Sequence, residues 1–199
     1  MTDLSPDQNP EASFGRVALQ YAMEALRVIV LAVVIVLPVR YFLIQPFNVV
    51  GASMLPNFEN SDYLIIDELS YRFQEPVRGE VVVFHPPGNR GQDYIKRVIG
   101  LPGESVTVAN GAIHIVNAEH PEGFLLDETA YLGNTVTPGD AHVTLAAEQY
   151  FLMGDNRAVS LDSRSFGAVP RANLIGRVWL RGLPVEKIGT IPLPMYVAP

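Results

Sequence analysis

Val106-Thr107-Val108-Ala109-Asn110-Gly111-Ala112-Ile113-His114-Ile115 reads as two short strands folded about a turn. Branched residues alternate with small or polar ones on each side, which is the period of a half-buried strand. Asn110-Gly111 supplies two residues that accept the positive φ values of a type I′ turn, whose twist suits an antiparallel pair. The flanking sequence extends this β character. Asp93 to Ile99 follows a Gly/Asn-rich loop and ends at Gly100-Leu101-Pro102-Gly103. Glu80-Val81-Val82-Val83-Phe84 is introduced by Arg78-Gly79 and stopped by Pro86-Pro87, and Tyr63-Leu64-Ile65-Ile66 is a further strand. Tyr150 to Met153 and Arg177 to Leu180 complete the set, while Asn117 to Gly139 reads as loop. Sixteen prolines and sixteen glycines fit many short elements joined by turns. The apolar, proline-rich stretch Ile191 to Pro199 either packs on this body or touches lipid.

The chain has 199 residues, enough for one domain with a small appendage. With 48% hydrophobic and 18% charged residues it can bury a core, and disorder is excluded as its general state. A net charge of -7 argues against nucleic acid as a partner. The absence of cysteine removes disulfides, a thiol nucleophile and thiolate metal sites. His85, His114, His120 and His142 have no ligand-like spacing, so neither a metal nor a cofactor is expected.

Ahead of the β-rich body lies a different composition. Residues 1–16 form a polar stretch expected to be a flexible tail. Residues 17–43 are apolar, densest at Val28 to Val39, and reach the ~20 residues of a spanning helix when counted back to Tyr21. Glu24, Arg27 and Arg40 fall near the ends, where long side chains snorkel. A cleaved signal peptide is the competing reading, but no basic region precedes the apolar run, and Pro6 and Pro10 do. A buried soluble helix is the plainer alternative. The unbroken aliphatic run favours a membrane anchor. Arg16 and Arg27 on one side against Arg40 on the other favour an internal N-terminus and an external body.

Three stretches carry candidate chemistry. Gly51-Ala52-Ser53-Met54-Leu55-Pro56 offers a serine between small residues, and by itself is also a plain turn near the membrane. Lys96 stands out because the chain has twelve arginines and only two lysines. A position that keeps lysine can supply a neutral amine, which arginine cannot. In an apolar pocket desolvation would lower its pKa, and it could take a proton from a serine hydroxyl. On an alternating strand it could equally be a surface lysine. A Ser-His-Asp arrangement stays open, since triads are known by geometry, but none of the histidines stands in a catalytic signature. Gly154 to Gly167 is dense in hydrogen-bonding groups: Asp162 and Arg164 can pair, and Ser160 could orient an amine. That loop could also be only an ordered turn network.

Together the three stretches resemble bacterial type I signal peptidase, a membrane-bound serine endopeptidase that removes signal peptides from exported proteins. Gly51 to Pro56 is similar to the family's Ser-Met-x-Pro box, Tyr94 to Gly103 to its general-base box, and Gly154 to Gly167 to its Gly-Asp-Asn-Arg-x-x-Ser-x-Asp-Ser-Arg box. Asp62 and Arg78 to Phe84 resemble the connecting strands, and the likeness runs from about Ala22 to Trp179. The resemblance implies a mainly β fold: an N-terminal transmembrane helix, then an antiparallel β catalytic domain over 44–199 with a small insertion around 105–148. It implies Ser53 as nucleophile and Lys96 as general base, a Ser-Lys dyad. Ser160 would hold the Lys96 amine, Asp162 and Arg164 would pair to hold that loop, and Asp155 and Ser163 would support it. Val50, Met54, Phe58, Tyr94 and Ile95 resemble substrate-binding positions. Substrates would be signal-peptide-bearing preproteins with small residues one and three positions before the cut. The place would be the bacterial cytoplasmic membrane, with lipid around the single span and the catalytic domain on the extracytoplasmic side. The sequence departs from many relatives at Gly51, where they carry a serine that adds an oxyanion contact. Other relatives share the glycine, so the second donor would be a backbone N–H or a water. Two other readings stand beside this one. A self-cleaving repressor of the same Ser-Lys fold would need a helix-turn-helix where the aliphatic segment stands. A catalytically inactive membrane-tethered β-domain that binds a partner would have no evident need for both Ser53 and Lys96.

Overall fold

A computed structural model describes residues 10–38, 45–89 and 91–196. The chain divides into two compact units, residues 1–41 and 42–199. The described part of the first is one helix, α1 (Pro10–Pro38, 29 residues). Proline suits its first turn, where no N–H partner is needed, and a second proline closes it. The stretch Val17–Val36 has 20 residues and a mean hydropathy of 2.0. At 1.5 Å per residue it spans roughly 30 Å, long and apolar enough to cross a membrane. The helix begins earlier than the expected tail allowed: Pro10 to Arg16 are helical. Extending a helix already nucleated costs little, so the polar flank follows the apolar run. Residues 1–9 of the expected tail, 39–43 of the expected anchor and residue 44 lie outside the described residues.

The second unit is built from two antiparallel sheets. The larger runs β1 (Gln45–Asn48), β2 (Tyr63–Asp67), β11 (Leu174–Leu183), β3 (Val81–Phe84), β4 (Tyr94–Gly100), β9 (Gln149–Met153) and β10 (Val169–Pro170), with β12 (Gly189–Thr190) beside β11. The smaller runs β7 (Phe124–Leu125), β6 (Ala112–Val116), β5 (Ser105–Ala109) and β8 (Ala141–Thr144). All four residues of β3 are buried, which explains its unbroken Val-Val-Val-Phe run. In β5 and β6 every second residue is buried, as their alternation demands. Between them Asn110 (φ 52°) and Gly111 (φ 81°) make the tight turn, with Ala109 opposite Ala112.

The two sheets share a core. Val106, Val108, Ile113 and Ile115 from the small sheet pack with Ile99, Phe151 and Met153 from the large one. Each side chain so buried contributes about 1.5–3 kcal/mol. Gly100 permits this closeness: a Cβ there would come within 3 Å of Val106, Leu145 and Phe151 side chains. The stretch expected to be loop contains β7 and a one-turn helix, α2 (Thr129–Leu132). The apolar stretch that follows β12 reaches the body, where Pro194 and Tyr196 close over Gly79.

One feature of β4 matters for the site. It pairs with β3 from Tyr94 to Arg97, but with β9 only from Arg97 onward. The edge of Tyr94–Lys96 away from β3 therefore carries no strand among the described residues.

Candidate active site

Ser53 lies in the turn between β1 and β2. Gly51 (φ 97°) takes the sharp bend, and its N–H donates to Asn60 Oδ1 at 3.0 Å. Met54 and Phe58, joined by a Phe58 N–H bond to the Met54 carbonyl, point inward and pack with Val49, Leu64, Val81 and Val178. These two side chains anchor the turn from below, and Ser53 faces outward. Asn156 holds it from the other side: its N–H donates to the Ser53 carbonyl at 3.0 Å, and its Nδ2 donates to the Ala52 carbonyl at 3.0 Å.

Lys96 is on β4 and only 3% exposed. Its Nζ donates to Ser53 Oγ at 2.7 Å and to its neighbour Ile95 O at 2.8 Å, with the Tyr94 ring centroid 5.5 Å away. Burial pushes the amine down from its ordinary 10.5 to about 8, although Asp162 and Asp155 pull the other way. An amine at that value is neutral in a useful fraction of molecules near neutral pH.

The loop after β9 surrounds this pair. Burial alone would raise the Asp162 carboxyl, but the Arg164 guanidinium and the Gly154 N–H hold it below the ordinary carboxylate value. Arg164 Nε and Nη2 reach Asp162 at 2.9 and 2.8 Å, and Gly154 N donates to Asp162 Oδ2 at 3.0 Å. Asp162 also caps the one-turn helix α3 (Ser163–Phe166). Ser163 Oγ accepts from the Leu152 N–H at 2.9 Å and fixes the loop to β9. Asp155 grips the residue after Lys96: Arg97 Nε and Nη2 donate to it at 2.8 and 2.6 Å. Both partners are almost wholly buried, so the pairing is obligatory, since either charge alone in that position would be strongly destabilising.

Ser160 departs from expectation. Its Oγ is buried and lies near enough to Asp162 to help hold that carboxyl down, but makes no well-formed hydrogen bond and is not bonded to Lys96. The two bonds of the Lys96 amine go to Ser53 Oγ and to the Ile95 carbonyl on its own strand.

A cleft of about 670 Å³ opens beside Ser53 and Lys96. Val50, Tyr94 and Ile95, three of the positions that resemble substrate-binding ones, line it. Met54 and Phe58 do not line it: at 1% and 2% exposure they belong to the core under the turn. Their places are taken by Phe47, Leu64, Val83, Val159 and Leu161. Val159 and Leu161 are 66% and 54% exposed and flank Ser160, an apolar pair whose position inside the third motif was the available signal. No histidine lines the cleft. His85, just after β3, instead lies 2.7 Å from Asp93, just before β4. Among the described residues no three His, Cys, Asp or Glu side chains gather as metal ligands.

Residues 22–182 match the family described as signal peptidase, peptidase S26. The chain belongs to the signal peptidase family. A signal peptidase I of Leptolyngbya laminosa is 37% identical over 98% of this chain and 96% of that protein. A probable signal peptidase I-1 of Synechocystis sp. is 35% identical over 86% of this chain and 88% of its own length. The crystal structure of a signal peptidase I from Enterococcus faecalis shares 33% identity, with a TM-score of 0.45, over 53% of this chain and 97% of that one. As a member of the signal peptidase family the chain is a serine endopeptidase.

Proposed function

We propose that this peptidase is a membrane-anchored enzyme that cleaves N-terminal signal peptides from exported preproteins, with Ser53 as nucleophile and neutral Lys96 as general base. The observation that carries the reading is the 2.7 Å contact between Ser53 Oγ and a buried amine pushed down to about 8. In the reactive form the Lys96 lone pair takes the Ser53 proton as Oγ attacks the scissile carbonyl. The ammonium then protonates the leaving amine, and water, activated by the same lysine, resolves the acyl-enzyme. The Ser53 N–H is one oxyanion donor. The Gly51 N–H is engaged by Asn60 and serves the turn, not the oxyanion.

The unpaired edge of Tyr94–Lys96 supports binding of the substrate as an added strand. In an extended peptide alternate side chains point the same way, so the first and third residues before the cut face one wall. Val50, Ile95 and Leu161 give the cleft apolar lining, which supports small apolar side chains at those positions. The helix α1 supports anchoring in a membrane, and the arginine distribution supports a body on the extracytoplasmic side.

The test is cleavage of a preprotein with an Ala-x-Ala site, in detergent, by the wild-type chain, Ser53→Ala and Lys96→Met. Both variants should be inactive while folded, and the wild type should cut after the second alanine. A fully active Lys96→Met would remove the lysine from the mechanism.

A further inference from the structure

The Arg97–Asp155 pair sits behind the dyad and is tied to both of its members. Lys96 and Arg97 are consecutive on β4, so what fixes the Arg97 side chain fixes the strand where Lys96 leaves it. Asp155 lies between Gly154 and Asn156, and Asn156 holds the Ser53 and Ala52 carbonyls. Asn57, from the nucleophile turn, donates through Nδ2 to Asp155 Oδ2 at 2.8 Å and to the Tyr131 carbonyl at 2.9 Å.

Tyr131 is the hub on the outer side of this pair. Its ring covers the Arg97 guanidinium at 4.1 Å from the centroid. Its hydroxyl donates to Glu128 Oε1 at 2.5 Å, and Glu128 receives the Arg157 guanidinium. Arg157 Nε in turn donates to the Gly154 carbonyl at 3.0 Å. Tyr131 is capped by Tyr196, whose ring meets it edge-on at 6.4 Å and 84°, with the hydroxyls 3.4 Å apart. Tyr196 and Pro194 also press on Gly79, where a Cβ would come within 2.9 Å of both. The Gly79 carbonyl accepts the remaining Arg97 hydrogen bond at 2.8 Å. Residues 191–196 thus close over the two groups that complete the Arg97 environment. They start from β12, with Ile191 N donating to the Trp179 carbonyl at 3.1 Å. Between this strap and the body runs a groove of about 450 Å³ that reaches Arg97, Asn57 and Tyr131. The ion pair itself stays nearly wholly buried at the end of this groove, and lifting the strap would expose it to water.

We propose that the strap Ile191–Tyr196, acting through Tyr196 on Tyr131, is a brace that keeps the Arg97–Asp155 pair dry and so holds Ser53 and Lys96 in register. The inference rests on the Ser53–Lys96 reading. Tyr131 and Tyr196 are positioning residues: neither lines the catalytic cleft, and both act on the dyad through Arg97. Their loss therefore disturbs alignment of the reacting groups and leaves substrate contacts intact.

The experiment uses the full chain in detergent and a fluorogenic peptide with an Ala-x-Ala site. kcat and KM are measured for the wild type, Tyr131→Leu, Tyr196→Leu, Tyr196→Phe and Ser53→Ala, with denaturant unfolding of each under the same conditions. Misplacing reacting groups by an ångström costs up to about a hundredfold, so both leucine variants should lose roughly tenfold to a hundredfold in kcat with KM within about twofold. Tyr196→Phe keeps the ring on Tyr131 and should stay close to wild type. The brace is refuted if both leucine variants keep kcat within about twofold of wild type, if KM alone changes, or if the loss of kcat only follows the unfolded fraction. Normal kcat in the leucine variants with a dead Ser53→Ala overturns the brace alone. A Ser53→Ala that still cleaves overturns the dyad on which the brace depends.

Discussion

Cleavage should rise with pH along a limb set by Lys96. Only the neutral amine can take the Ser53 proton, and burial pushes Lys96 down to about 8 against the opposing pull of Asp162 and Asp155. Roughly a tenth of the enzyme then carries the neutral amine at pH 7, and roughly a hundredth at pH 6. kcat/KM on a signal-peptide substrate should therefore fall about tenfold for each pH unit below the limb. The same property acts on folding. The unfolded chain keeps the Lys96 proton up to the ordinary 10.5, whereas the folded chain releases it near about 8. Between those values the unfolded state binds more protons, so stability rises with pH. Below them both states are protonated, and the folded state bears the full cost of a buried ammonium, roughly 3 kcal/mol. Lys96→Met removes that cost and also the bonds to Ser53 Oγ and Ile95 O. The variant should be inactive yet about 2 kcal/mol more stable than wild type at pH 7. The gain should fade above pH 8 as the wild-type amine sheds its proton. Denaturant unfolding across pH, beside the rate profile, gives both arms. A rate limb near the ordinary histidine value, or a Lys96→Met variant less stable than wild type at pH 7, would refute the reasoning.

Two further expectations concern the turn and the loop that hold the dyad. In Gly154→Ala the new Cβ would lie 2.2 Å from Ser160 Oγ and 2.5 Å from the Ser53 carbonyl. Cleavage should fall by about a hundredfold, with a stability loss of only about 1–3 kcal/mol, read from kcat and from denaturant unfolding. Met54→Ala and Phe58→Ala should each lower the unfolding free energy by about 2–5 kcal/mol, because both sides are core. Their preference for residues before the cut should match wild type when a panel of peptides is profiled.

The elements that sequence made legible are those whose burial repeats along the chain. Val106–Ile115 declared its turn and both strands, because Asn110-Gly111 is local chemistry and the alternation is local geometry. Val81–Phe84 announced a buried strand by having no polar break. Ser53 and Lys96 stood out by motif and by the scarcity of lysine, and their 2.7 Å contact joins residues 43 positions apart. What could not be read was which face of a turn looks inward. Met54 and Phe58 flank the nucleophile in sequence, but one helical bond turns both under it. The strands β1 and β8 were also missed, since Gln45–Asn48 and Ala141–Thr144 are short, only partly apolar and formed by pairing with distant partners. Ser160 shows a different limit: a motif gives a residue's neighbourhood, while local geometry decides whether its bond is made.

The bare edge of β4 has a consequence for what the enzyme can tolerate. Strand addition is a contract between amide groups, and every residue except proline offers the same pair of them. A groove that reads main chain is indifferent to most of what makes one leader differ from another. Discrimination is left to subtraction, a few walls refusing bulk at alternate positions. An enzyme that bound its substrates this way would serve a varied clientele with one cleft. Among the described residues three residues of sheet have no partner on that edge, an adhesive margin that an extended chain, a released leader included, could occupy.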